Sequence, residues 1–311
     1  MFKKSAELVL KKCLNVKKNE KVLVIADLKS WQIAKEFYRS AKNIAEAKII
    51  KIKIPETNGA EPEKRVAEEM LSHDVILMPT TKSLSHTQAR KRATTKGARI
   101  ASMPGIRERM AVALDVDYSS INKLNKKLIK ILQKTKKIRV MTAKGTDISF
   151  SFKGRKWEND DGILAKKGAF GNLPAGEVSA APIEGETNGK FICDASIGGL
   201  GRVDNDISFT VLMGFANNIT GGKTAQNFKK SLKDKDYRNI AEFGIGTNYR
   251  AKISGNVLED EKAIGTAHIA LGNNLSYGGK VGVPFHSDCV IKKPTIFCDG
   301  KIIMQNGRLT I

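Results

Sequence analysis

Between Lys21 and Met103 short apolar runs alternate with segments of helical periodicity, and few folds accommodate that order. Lys21 to Asp27 (Lys-Val-Leu-Val-Ile-Ala-Asp) is continuously apolar up to its last residue. That is the pattern of a strand covered on both faces, as in a parallel sheet. Ser30 to Ala45 puts Trp31, Ala34, Phe37, Tyr38 and Ala41 on one side of a helix. The alternation continues through a strand at Ala47 to Ile54, a helix at Glu61 to Leu71 with Pro62 in its first turn, and a strand at Asp74 to Pro79. A helix at Ser83 to Thr95 and a strand at Gly97 to Met103 complete it. Strands joined through helices predict an open, mostly parallel, Rossmann-like α/β sheet with right-handed crossovers. An amphipathic helix at the start and a linking helix from Ser119 to Lys136 bracket this half.

From Ile138 the texture changes. Arg139 to Ala143, Thr146 to Phe152, Phe191 to Ile197, Ile207 to Phe215 and Thr247 to Ile253 read as strands between glycine-rich turns, and helical periodicity survives mainly in Thr224 to Lys235. The expectation is therefore an α/β domain over residues 1–138, followed by a strand-rich α+β domain over 139–311.

Composition narrows the function. The 54 basic residues include 13 arginines, so the net charge of +22 is mostly lysine. The densest stretch, Lys123 to Arg139, carries Leu124, Leu128, Ile131 and Leu132 at helical spacing, so its lysines read as a solvated face. No zinc-finger spacing, aromatic RNA-binding motif or helix-turn-helix pattern accompanies them, which argues against specific nucleic-acid binding. No Gly-x-Gly-x-x-Gly follows the first strand, so no dinucleotide site is expected. No run is long and apolar enough for a membrane span, and no export signal precedes the first helix. With Cys13, Cys193, Cys289 and Cys298 unpaired by any Cys-x-x-Cys spacing, a cytoplasmic protein with free thiols is expected.

The chemistry concentrates near the C-terminus. Of four histidines, His268 and His286 lie in one stretch, and His286 forms a His-x-Asp pair with Asp288. Residues two apart on a strand face the same way, so both could meet one metal ion. Two imidazoles and a carboxylate fit zinc-type hydrolysis and a two-His-one-carboxylate ferrous centre equally, and a plain ion pair accounts for His-x-Asp as well. Two further carboxylates, Glu177 after a Pro/Gly turn and Glu242 within Ala-Glu-Phe-Gly-Ile-Gly, sit where burial would require a cation, supplied by lysine, arginine or metal. Asp194 ranks below them as a turn-former. Glu177, Glu242, His268, His286 and Asp288 together make a set large enough for two adjacent divalent ions. In the first half, Lys82, His86 and the Met103-Pro104-Gly105 turn fall beyond strand ends, where α/β sheets bind ligands, with Ser83 the expected cap of the following helix.

The segments Asn-Leu-Pro-Ala-Gly-Glu-Val, Ala-Glu-Phe-Gly-Ile-Gly-Thr-Asn, Gly-Thr-Ala-His-Ile-Ala-Leu-Gly and His-Ser-Asp, over about residues 145–311, resemble the thermophilic metalloaminopeptidases (aminopeptidase T, or leucyl aminopeptidase). That resemblance implies a homodimer in which Glu177, Glu242, His268, His286 and Asp288 hold two divalent ions (zinc, cobalt or manganese). The ions activate water on a peptide substrate. The pattern also carries a Glu before the first His and a Tyr after it. Glu261 and Tyr277 are the nearest residues, Glu261 as proton acceptor, and Leu275 stands where the Tyr is expected. The same motifs resemble 2,5-dihydroxypyridine dioxygenase, which implies one Fe(II) on His268, His286 and Asp288, a small aromatic substrate, and His86 as base. The sequence reading favours the aminopeptidase, with the ring-cleaving dioxygenase as its alternative.

Overall fold

The computed structural model describes residues 2–311, and the chain divides into two compact units. The first comprises the chain up to Tyr118 together with Asp161–Ala175. Its sheet has the strand order Glu46–Lys51, Lys21–Ala26, Val75–Met78, Arg99–Ser102 and Phe170–Asn172, all parallel. The Val75–Met78 strand is apolar and buried throughout, and Arg99–Ser102 is buried as well, its Arg99 paired with Glu20 at 2.6 Å. Leu23, Ile25, Ile76, Met78 and Ile100 form a core with Val66, Met70, Ala89 and Ala93 from the helices Lys64–Leu71 and Gln88–Lys96.

Two helix starts differ from the sequence expectation. The helix expected from Glu61 begins at Lys64, leaving Pro62 ahead of it rather than in its first turn. The helix expected from Ser83 begins at Gln88, and its cap is Thr87, whose hydroxyl accepts from the Arg90 amide at 3.1 Å. The intervening Thr80–Ser85 makes local bonds that compete with a helix: Thr80 Oγ1 donates to the Lys82 carbonyl, and Ser83 Oγ accepts from the Ser85 amide.

The second unit is Ser119–Asp160 with Gly176–Ile311. The chain thus crosses between units after Tyr118, Asp160 and Ala175, where the sequence reading drew one boundary at 138. The Tyr118–Leu132 helix contributes Leu128 and Leu132 to the second core. Two sheets, one of eight strands and one of seven, share that core. The seven-stranded sheet runs Gly201–Arg202, Ser196–Ile197, His286–Lys292, Thr266–Gly272, Ile240–Gly246, Glu177–Ala180 and Glu158–Asp160. Its pairings are antiparallel. Thr247 to Ile253, expected as a strand, is a turn segment in which the Asn248 side chain accepts from the Arg250 and Ala251 amides at 2.9 and 3.0 Å. Among the described residues no helix is long and apolar enough to cross a membrane.

Candidate metal centre

Strand register builds the centre. Gly246 pairs with Glu177, Gly244 with His268, Glu242 with Ala270, Ala270 with Asp288, and Gly272 with His286. Opposed residues and every second residue share a face, so Glu177, Glu242, His268, His286 and Asp288 all project from one side of four adjacent strands. The intervening Phe243, Ile245, Ile269, Leu271, Cys289 and Ile291 point into the core. Small residues leave the room that the ligand face needs. A Cβ on Gly244 would stand 2.2 Å from the His268 ring, and Ala270 separates Glu242 from Asp288 with only a methyl group.

The donor atoms fall into two groups joined by Glu242. In the buried group, His268 Nε2 lies 3.5 Å from Glu177 Oε2 and 3.7 Å from Glu242 Oε1. In the outer group, His286 Nε2 lies 3.1 Å from Glu242 Oε2 and 3.5 Å from Asp288 Oδ1. The His268 side chain is 1% exposed and that of His286 20%, so the centre opens on the His286 side. His286 Nδ1 is 2.8 Å from the Asn273 carbonyl oxygen. Nδ1 therefore carries the proton and donates it there, which turns Nε2 toward the carboxylates in the arrangement usual for metal-bound histidine. The Tyr277 ring stacks on His286 with centroids 5.4 Å apart.

Lys262, which sequence reasoning did not single out, is the cation beside the buried group. Its Nζ lies 2.6 Å from Glu177 Oε1, 2.9 Å from Glu261 Oε1 and 3.3 Å from Asp160 Oδ2. Asp160 was missed too; it pairs with Glu177 across the sheet edge. The available signal was Glu-Asp-Glu-Lys a few residues before a buried histidine, since one ammonium is the simplest partner for carboxylates that burial would strand.

Charge crowding shows in the proton affinities. Burial disfavours charge on His268, but Glu177, Glu242 and Asp288 outweigh it and lift the imidazole to about 9. His286 is raised well above its ordinary value, with Asp288 and Glu242 overcoming burial. Burial alone would raise the Glu242 and Asp288 carboxyls; the imidazoles hold both below the usual range. Glu261 goes the other way: burial, opposed by Lys262 and reinforced by Asp288 and Glu177, brings it to about 8. Burial, with Glu242 and Asp288, pushes the Tyr277 phenol well up.

These residues fit a divalent ion. Two imidazole nitrogens and three carboxylates converge, and Glu177 Oε2 is buried without a hydrogen-bond partner. Protons on both histidines otherwise perform the neutralisation that a dication supplies. Asp194 accepts from the Lys292 amide and pairs with Lys144, a structural role. His86 is exposed in the turn ahead of the Gln88–Lys96 helix, in the first unit. Lys82 lies in the same loop.

A two-unit α/β-plus-antiparallel fold carrying this imidazole–carboxylate cluster defines a class of enzyme with a candidate metal site. Within it, the chain belongs to the 2,5-dihydroxypyridine 5,6-dioxygenase (NicX) family, whose sequence model matches residues 2–311. The structure is similar to that of 2,5-dihydroxypyridine dioxygenase from Pseudomonas putida KT2440, with TM-score 0.82, 18% identity and coverage of 99% of this chain and 96% of that one. It is also similar to wild-type AmpT from Thermus thermophilus, with TM-score 0.75, 17% identity and coverage of 100% and 99%. At those identities the likeness is one of fold. A search of curated proteins finds no significant match. The whole-chain family match overturns the hydrolase, protease and aminopeptidase reading favoured from sequence. The likeness to both proteins is a likeness of scaffold.

Proposed function

We propose that the chain is a ferrous-ion-dependent dioxygenase that opens a dihydroxylated pyridine-type ring. The observation that carries the reading is the family match over residues 2–311, which includes every member of the cluster. The partly exposed donors His286 and Asp288, with the buried Glu242 and His268 behind them, would hold the ion. When bound, ferrous iron supplies the Lewis acidity that gathers a ring hydroxyl and the redox chemistry that ground-state O2 requires.

The protein's own residues do the rest. The Asn273 carbonyl fixes the His286 tautomer. The Tyr277 ring, stacked on His286 at the open side, gives an aromatic wall for a planar substrate. Glu261, whose carboxylate lies 2.9 Å from the Lys262 ammonium, would accept the substrate's hydroxyl proton and return it. Ring opening breaks one carbon–carbon bond and places both atoms of O2 on the product.

The reading is tested with an oxygen electrode on protein reconstituted anaerobically with Fe(II). Addition of 2,5-dihydroxypyridine is expected to start O2 uptake that depends on the iron. Glu261→Gln should retain its iron while turnover falls by roughly 10²–10⁴. Iron-loaded protein that consumes no O2 with any dihydroxylated ring would refute the assignment.

A further inference from the structure

The five convergent donors are numerous enough for two ions, yet one carboxylate among them is already committed. Glu177 Oε1 is 2.6 Å from the Lys262 ammonium, which leaves Oε2 alone facing His268. Lys262 is 2% exposed, and its other partners, Glu261 and Asp160, hold it from further sides. The backbone fixes it as well: the Lys262 carbonyl accepts from the Asn248 amide at 2.8 Å, and Asn248 in turn packs against Gly176, where no Cβ would fit. The ammonium cannot swing out to solvent without breaking this set.

We propose that Lys262 is a positioning residue that stands in the place of a second metal cation. It ties up Glu177, repels a dication from the buried Glu177–Glu242–His268 group, and so limits the centre to one ion. This rests on the metal-binding reading above, and adds to it which residue sets the count. A monovalent ammonium beside a low-dielectric site repels an incoming dication strongly, while the outer group makes no ion pair with Lys262 and opens to solvent through His286 and Asp288.

The test is metal stoichiometry by calorimetry and by Mn(II) electron paramagnetic resonance, using Mn(II) or Co(II) alone on the full chain. Wild-type protein is expected to bind one ion tightly and to give a single-ion signal. Lys262→Met should bind two, with the second tightened roughly a hundredfold or more, and show spin coupling between them. Lys262→Arg, which keeps the charge, should remain at one. If Lys262→Met folds only with metal, its melting temperature should rise more with Mn(II) than that of wild type. Two tight ions on the wild-type chain, or a folded Lys262→Met with one ion at all concentrations, would overturn the role of Lys262 and leave the metal centre standing. No ion on the wild-type chain would refute the metal reading itself.

Discussion

At the scale of single residues, the centre is a set of charges that the fold forces together. Its cost should be visible as pH dependence. In the metal-free protein Glu261 titrates near 8 against an ordinary 4.5, so its contribution to stability is complete below 4.5 and lost as pH rises through 8. His268, near 9 against 6.5, contributes fully below 6.5 and loses that contribution by about 9. The lowered Glu242 and Asp288 carboxyls contribute above the usual carboxylate range and do not change in this window. The melting temperature of metal-free protein should therefore fall from pH 6.5 to 9. Added Mn(II) should flatten the fall, because the dication replaces the protons. A melting temperature that holds or climbs over that range would contradict this account. The ligand types were legible in the sequence, since two histidines and an isolated pair of carboxylates in apolar segments are costly to keep without a purpose. Lys262 was not, because one lysine among many has no local mark; only register reveals that Glu177, Glu261 and Asp160 surround it. Its neighbours Glu259 and Asp260 serve a different end, accepting from the amides of Lys252, Ser254 and Gly255 to hold a loop.

At the scale of elements, the alternation of a pleated strand separates chemistry from packing. Each of the strands Ile240–Gly246, Thr266–Gly272 and His286–Lys292 sends one face to the core and the other to the centre. Ile240–Gly246 and Thr266–Gly272 read as almost wholly apolar, because Gly244, Gly246, Ala270 and Gly272 fill the ligand face between the donors. Gly244 is the sharpest case. Gly244→Ala would drive a methyl group into the His268 ring, so the variant should lose about 1–3 kcal/mol of stability and bind Mn(II) at least tenfold more weakly. Thermal melts and metal titration read both effects; unchanged metal affinity would show that His268 has room the register denies it. Four of the five parallel strands of the first unit were legible within a few residues, since apolar or alternating runs between helices leave little choice; the short Phe170–Asn172 strand was not. Helix starts and the Thr247–Ile253 segment were not. There, side-chain bonds from Thr80, Ser83, Thr87 and Asn248 decide the backbone, and hydrophobic periodicity does not register them.

At the scale of the whole molecule, fold class was readable from the order of elements, but the reaction was not. The sheet face with its glutamates, histidines and His-x-Asp pair sits on a scaffold similar both to a dioxygenase and to AmpT, so scaffold and short motifs together do not select a reaction. What distinguishes them here is agreement along the entire chain with one family, from residue 2 to residue 311. The return of Asp161–Ala175 to the first unit explains why one boundary near 138 is too simple a division: the strand Phe170–Asn172 completes a sheet begun more than a hundred residues earlier. The central claim concerns where the oxygen atoms of the product originate. The measurement is mass spectrometry of the ring-opened product formed by Fe(II)-loaded protein from 2,5-dihydroxypyridine under ¹⁸O2. The account predicts that both atoms of one O2 molecule are retained in each product molecule; a product labelled only from water, or an intact ring, would contradict it.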